Sequence, residues 1–129
     1  MCTGAVLGNW PMWGGEPSHQ SVQLLKGAMT YGATIKWQFA TRYDVEWQFS
    51  AIADVNGDGI VDVVIGSYDS TVYCLRGSDG ALQWSYRTGN WMHSSPAVAD
   101  VDGDGRMEVI VGSYIGPPQG YKIYCLSGS

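Results

Sequence analysis

Two short stretches hold the side chains best suited to gripping an ion. The first reads Asp54-Val-Asn56-Gly-Asp58-Gly59-Ile60-Val-Asp62, the second Asp100-Val-Asp102-Gly-Asp104-Gly105-Arg106-Met-Glu108. Each sets an acid or amide at its first, third and fifth positions and an acid at its ninth. Calcium is a hard cation that takes six to eight oxygens at about 2.3–2.6 Å. Side chains spaced in this way converge when the backbone curls around the ion. Gly59 and Gly105 permit the curl, because glycine accepts positive φ. The backbone carbonyls of Ile60 and Arg106 are the expected seventh-position ligands, and Asp62 and Glu108 close the sites. Without a cation the carboxylates would repel one another. The expectation is about two calcium ions per chain. A plain Asp-Gly hairpin turn is the competing explanation, and two copies in register weigh against it.

Other calcium loops share the spacing Asp-x-Asp-x-Asp-Gly but need flanking helices and a glutamate at position twelve. Here position twelve is Ile65 or Val111, inside Val/Ile-rich stretches. The sequence therefore excludes the helical kind.

The elements around the loops repeat. Residues 51–68 match residues 97–114 at an offset of 46. Farther on, Thr71-Val-Tyr-Cys-Leu-Arg-Gly-Ser matches Lys122-Ile-Tyr-Cys-Leu-Ser-Gly-Ser, after five extra residues near 116–120. Upstream, Trp37-Gln-Phe-Ala-Thr matches Trp84-Ser-Tyr-Arg-Thr. Alternation and turn signals divide each repeat into four short strands. Strand A is expected over 48–54 and 94–100, B over 61–67 and 107–113, C over 71–76 and 121–126. Strand D is expected over 81–87, with a similar strand over 33–41. Four strands in a repeat of 40–50 residues are the mark of a β-propeller blade. The predicted fold is all-β, with two blades of four antiparallel strands over 33–129, divided at about 33–80 and 81–129. Residues 1–32 are read as a leader packing on a blade edge. Two blades cannot close a ring. The ring is expected to be completed by missing blades or by three or four copies joined head to tail, since heterologous contacts close when the rotation fits.

The composition agrees. Eighteen of 129 residues are glycine, roughly twice the usual share, which suits many tight turns. The net charge is −5, but the two loops hold seven of the twelve acids, leaving five against six Lys/Arg outside them. Acidity is thus local, and no basic stripe suggests nucleic acid. No apolar run approaches the roughly 18 residues that cross a bilayer, and no secretory leader is visible. Cys74 and Cys125 hold the same place in the two repeats and are expected as small buried apolar residues. Cys2 could be a free thiol, a bridge to another chain or an acylated residue.

The motif Ala-x-Ala-Asp-Val-x-Gly-Asp-Gly-x-x-(Asp/Glu)-Val-x-x-Gly resembles the FG-GAP (integrin α-type) and VCBS propeller repeats. Val72-Tyr-Cys-Leu-Arg-Gly-Ser-Asp-Gly-Ala-Leu-Gln-Trp84 and Asn9-Trp-Pro-Met-Trp-Gly-Gly-Glu-Pro-Ser-His19 are similar to quinoprotein-like (PQQ-type) repeats and their leader. The resemblance implies a structural calcium in the A–B loop and a place outside the cytosol: extracellular, periplasmic or at the cell surface. Quinoprotein dehydrogenases need a complete propeller, and often adjacent cysteines that this chain lacks. The expectation is a non-enzymatic, calcium-stabilised structural or binding module. Glycan or protein recognition is the alternative, using Tyr43, Trp47, Trp91 and His93 of the D–A loops with Pro117 and Pro118 nearby. Packing of the Trp side chains between blades competes with that role. A fragment of a propeller enzyme (polysaccharide lyase or quinoprotein type) is the third reading. No nucleophile–base pair stands apart from the metal loops, and His19 and His93 are isolated.

Overall fold

A computed structural model describes residues 32–46, 48–114 and 120–128. The described residues form strands and no helix. β1 (Ala51–Ala53), β2 (Asp62–Ser67), β3 (Thr71–Arg76) and β4 (Leu82–Arg87) make one antiparallel sheet in sequence order. β5 (Trp91–Met92), β6 (Ala97–Ala99), β7 (Glu108–Tyr114) and β8 (Tyr121–Ser127) make the second. Each is a propeller blade of four antiparallel strands.

The apolar alternation decides which residues meet. β2 and β3 run with alternate residues buried, and Val64 pairs with Cys74 in register. One core lies between the two sheets. Ala51, Val55, Val64 and Val72 from the first meet Met92, Val98, Val109 and Val111 from the second. Trp84 of β4 and Tyr124 of β8 pack against its margin.

The inner strand of the second blade is split. β5 pairs the far end of β7 through Trp91 and Tyr114, and β6 pairs its near end through Ala97 and Ile110. Pro96, with no N–H to give, lies in the gap. Ser94 fills it: its Oγ accepts from the Gly112 N–H at 2.7 Å and donates to the Gly112 carbonyl at 2.9 Å. Because β5 and β6 share one side of β7, the sheet is three positions wide and β8 is its outer edge.

The strand expected over 33–41 does not form, for no strand is present within residues 32–46. The segment instead lies over the first blade by side-chain contact. Phe39 meets Tyr73 with ring centroids 5.3 Å apart, and Trp37 Nε1 donates to the Gly77 carbonyl at 3.0 Å. β4 treats the second blade in the same way, with Tyr86 and Tyr124 at 5.7 Å. The segment thus holds a strand-D position but has no blade of its own to pair with among the described residues. Cys74 is buried as expected, but Cys125 is exposed, because among the described residues no further strand pairs with β8. Residues 1–31, including Cys2, lie outside the described residues.

Candidate functional site

The acidic loops join β1 to β2 and β6 to β7, and the two fold alike. In the first, Asp54 reaches forward over the turn. Its Oδ1 accepts from the Asp58 N–H at 3.0 Å and its Oδ2 from the Gly59 N–H at 2.9 Å. Asn56 Oδ1 accepts from Asp58 N–H and Asp58 Oδ1 from Ile60 N–H. In the second, Asp100 accepts from the Gly103 and Gly105 N–H groups at 2.7 and 2.9 Å. Asp102 caps Asp104 N–H, and Asp104 caps Arg106 N–H. Gly59 and Gly105 have φ of 83° and 88°, the left-handed backbone that side chains with a Cβ resist.

The ninth-position acids close both loops from the first residue of the next strand. Asp62 Oδ2 accepts from Val55 N–H at 3.2 Å, and Glu108 Oε2 accepts from Val101 N–H at 2.9 Å. Glu108 therefore takes the role of Asp62 despite its longer chain. Asp100, Asp102 and Glu108 each offer a carboxylate oxygen within 4.8 Å of the others, a cluster that could hold a metal ion. The first loop has Asn56 where the second has Asp102, and it forms no such trio among the described residues.

Asp62 is the sharpest test of fit. It is fully buried, and its Oδ1 has no hydrogen-bond partner among the described residues. Burial pushes its carboxyl above the ordinary carboxylate range, opposed by the Val55 N–H and reinforced by the charges of Asp58 and Asp54. A buried carboxylate oxygen with no donor is costly unless a charge of opposite sign answers it. The donor set is all oxygen, as a hard cation prefers. The residues present fit calcium.

At the other end of the strands the structure brings Tyr43, Trp91 and His93 to one open cleft of about 1130 Å³. Tyr43 is 69% exposed and Trp91 60%, so Trp91 does not pack between blades. His93 stands at the centre of an aromatic cluster, with its ring 4.9 Å from Tyr68, 6.4 Å from Trp91 and 5.8 Å from Tyr114. Tyr68 Oη lies 3.4 Å from His93 Nδ1. Trp47, Pro117 and Pro118 lie outside the described residues. Sequence reasoning missed Tyr68, Asp69, Arg42 and Arg87 in this cleft. A signal existed for Tyr68, which ends the repeated Gly-Ser-Tyr, and for Arg87, beside the repeated threonine. Arg42 had none.

Residues 54–111 match the family of FG-GAP-like repeats. The chain is also similar to lambda-carrageenases from a Pseudoalteromonas species and from Pseudoalteromonas carrageenovora. Each is 43% identical over 35 residues, which is 27% of this chain and 4% of the relative. The match thus spans a small part of those proteins' length.

Proposed function

From an FG-GAP-like repeat over residues 54–111, we propose that the chain is a calcium-stabilised, non-enzymatic pair of propeller blades acting outside the cytosol. The observation that carries the reading is the buried Asp62 Oδ1, without a hydrogen-bond partner among the described residues, at the end of a loop whose donor side chains are all oxygen. Asp54, Asn56, Asp58 and Asp62 would hold one ion with the Ile60 carbonyl. Asp100, Asp102, Asp104 and Glu108 would hold the other with the Arg106 carbonyl. The ion offsets carboxylate repulsion and pins each hairpin to its blade. Binding to the folded state stabilises it by about 2.7 kcal/mol when free ion is a hundredfold above Kd. Extracellular sites of about 10⁻⁴–10⁻³ M fill at ambient calcium. The test is thermal melting in millimolar calcium against a chelator. The midpoint should rise with calcium, and an unchanged melt would overturn the reading.

The reading includes head-to-tail assembly of about three or four copies into a ring. Its support is the outer strand of the second blade: among the described residues β8 has a neighbour on one side only, and Tyr121 and Ile123 are 80% and 81% exposed.

A second reading, recognition of a polysaccharide at the cleft, is favoured by the exposed Trp91 and Tyr43 rings lining one opening. It agrees with the likeness to proteins named as carrageenases. Retention on immobilised glycan, lost in Trp91→Ala, tests it.

A further inference from the structure

The charges of the rim cleft are arranged unevenly. Arg42 and Arg87 both line it, one from the segment before β1 and one from the end of β4. Both are exposed, and neither has a carboxylate within ion-pair distance among the described residues, where the ion pair formed is Arg76–Asp79. The acids of the cleft are Asp44 and Asp69.

Asp69 is committed to the turn. Its Oδ2 accepts from the Tyr73 hydroxyl at 2.6 Å and from the Arg42 N–H at 3.1 Å. Burial pushes its carboxyl up, but hydrogen bonds from Tyr73, Arg42 and Thr71 outweigh this and hold it below the ordinary range. Its Oδ2 is engaged by the protein and its Oδ1 is buried without a hydrogen-bond partner among the described residues, whereas the two guanidinium groups are exposed and have no carboxylate within ion-pair distance among the described residues. The bulk of the acidity sits in the metal loops, across the full length of the strands. A six-residue strand such as β2 separates its ends by about 17 Å, beyond a Debye length of about 8 Å at physiological salt.

Resting on the polysaccharide reading above, we propose that this cleft takes an anionic glycan, with Arg42 and Arg87 receiving its sulfate or carboxylate groups. Guanidinium offers paired donors that match the oxygens of either group. Trp91 and Tyr43 offer flat, exposed rings on which the apolar face of a pyranose can lie. A nucleic acid fits less well, because the chain carries net charge −5 and no basic stripe. The combination of two exposed cations with exposed rings in one cleft selects a charged sugar chain over a neutral one.

The experiment measures binding of the full, calcium-loaded chain to four probes: dextran sulfate, carboxymethyl dextran, unmodified dextran and poly-L-glutamate. Binding to one or both charged dextrans, with little to dextran or polyglutamate, is expected. The charged dextran that binds better identifies the group received. Arg42→Ala and Arg87→Ala should each weaken that binding at least about fivefold, while Lys36→Ala, an exposed cation outside the cleft, leaves it unchanged. Arg87→Gln repeats the test with most of the side chain's bulk retained, and an unchanged melt certifies each fold. Dextran binding as tight as its charged forms would overturn the anionic preference and leave polysaccharide recognition standing. No binding to any dextran would overturn both. Equal binding of polyglutamate, or arginine variants that behave like Lys36→Ala, would overturn the proposal.

Discussion

Val72 and Ile123 hold the same place in the two repeats, yet Val72 is wholly buried and Ile123 is 81% exposed. The residues differ by one methylene, so chemistry does not explain the contrast. Position does. β3 is covered on its outer edge by β4 and on its face by the second blade, whereas among the described residues β8 pairs β7 alone. An exposed strand edge with apolar residues is a template for another chain. In the proposed ring, Ile123 with Tyr121 would be the surface that receives the next blade. Sedimentation of the calcium-loaded chain should give a mass of about three or four copies. Ile123→Glu should reduce it to a single chain with little change in the melt of that chain. A compact wild-type monomer at all concentrations would contradict head-to-tail assembly.

Met92 is the largest fully buried side chain and belongs to the core shared by the sheets. Its carbonyl also accepts from Gln48 Nε2, which ties the stretch before β1 to the start of β5. Truncation leaves a cavity on a surface that must join two sheets. Met92→Ala should cost about 2–4 kcal/mol by urea unfolding, while the exposed Ile35→Ala should cost under about 0.5 kcal/mol. Equal costs would mean that the blades do not share a core.

The buried carboxylate of Asp62 opposes folding when no cation answers it. Asn keeps one acceptor oxygen for the Val55 N–H and removes the charge. Asp62→Asn should therefore raise the melting point in chelator and shrink the further rise on adding calcium. Glu108→Gln should shrink that rise through the second loop. Asp58→Ala and Asp104→Ala should each remove part of it as well. Opposite signs in chelator and in calcium distinguish a metal ligand from a structural acid. A uniform loss for Asp62→Asn in both buffers would remove the metal role.

Much of this was legible in the sequence, and the limits have physical causes. The 46-residue offset gave the loops, the strand order and the buried alternation of β2 and β3, because local turn chemistry and period-two patterning need no distant partner. The strand over 33–41 was misjudged for the opposite reason. Its composition suits a strand, but a strand exists only when another edge pairs with it, and none is present for it here. Cys125 carries the same local signal as Cys74 and a different fate, since burial is decided by the neighbouring layer. The pairing of Arg42 with the Tyr68–Thr71 turn joins residues far apart in sequence, and no spacing rule announces it.

Asp69 links the segment before β1 to the β2–β3 turn through Arg42 and Tyr73. Its carboxyl lies below the ordinary value of 3.8. A depressed folded-state value contributes stability above the unfolded value, and that contribution is lost as pH falls through the folded one. The loss therefore belongs to the acid side of 3.8. Asp69→Asn should lower the melting point at neutral pH, and the difference from wild type should shrink as pH falls below 3.8. A constant offset across that range would show that charge has no part in the contact.

The two matched cysteines report on the layers directly. Burial, with the Asp62 charge adding to it, pushes the Cys74 thiol up to about 12. Thiolate is the reactive form, so Cys74 should resist iodoacetamide at mildly alkaline pH until the chain unfolds. Cys125 is exposed on β8 and should be alkylated in the folded chain. Residue-resolved mass spectrometry separates the two sites. The assembly adds a second dependence: at protein concentrations where copies associate, the next blade covers β8 and Cys125 should become protected, while Cys74 stays protected throughout. Alkylation of Cys125 at one rate across dilution would mean that nothing covers that face. Equal rates at Cys74 and Cys125 in the dilute folded chain would mean that the two blades are not packed on one another.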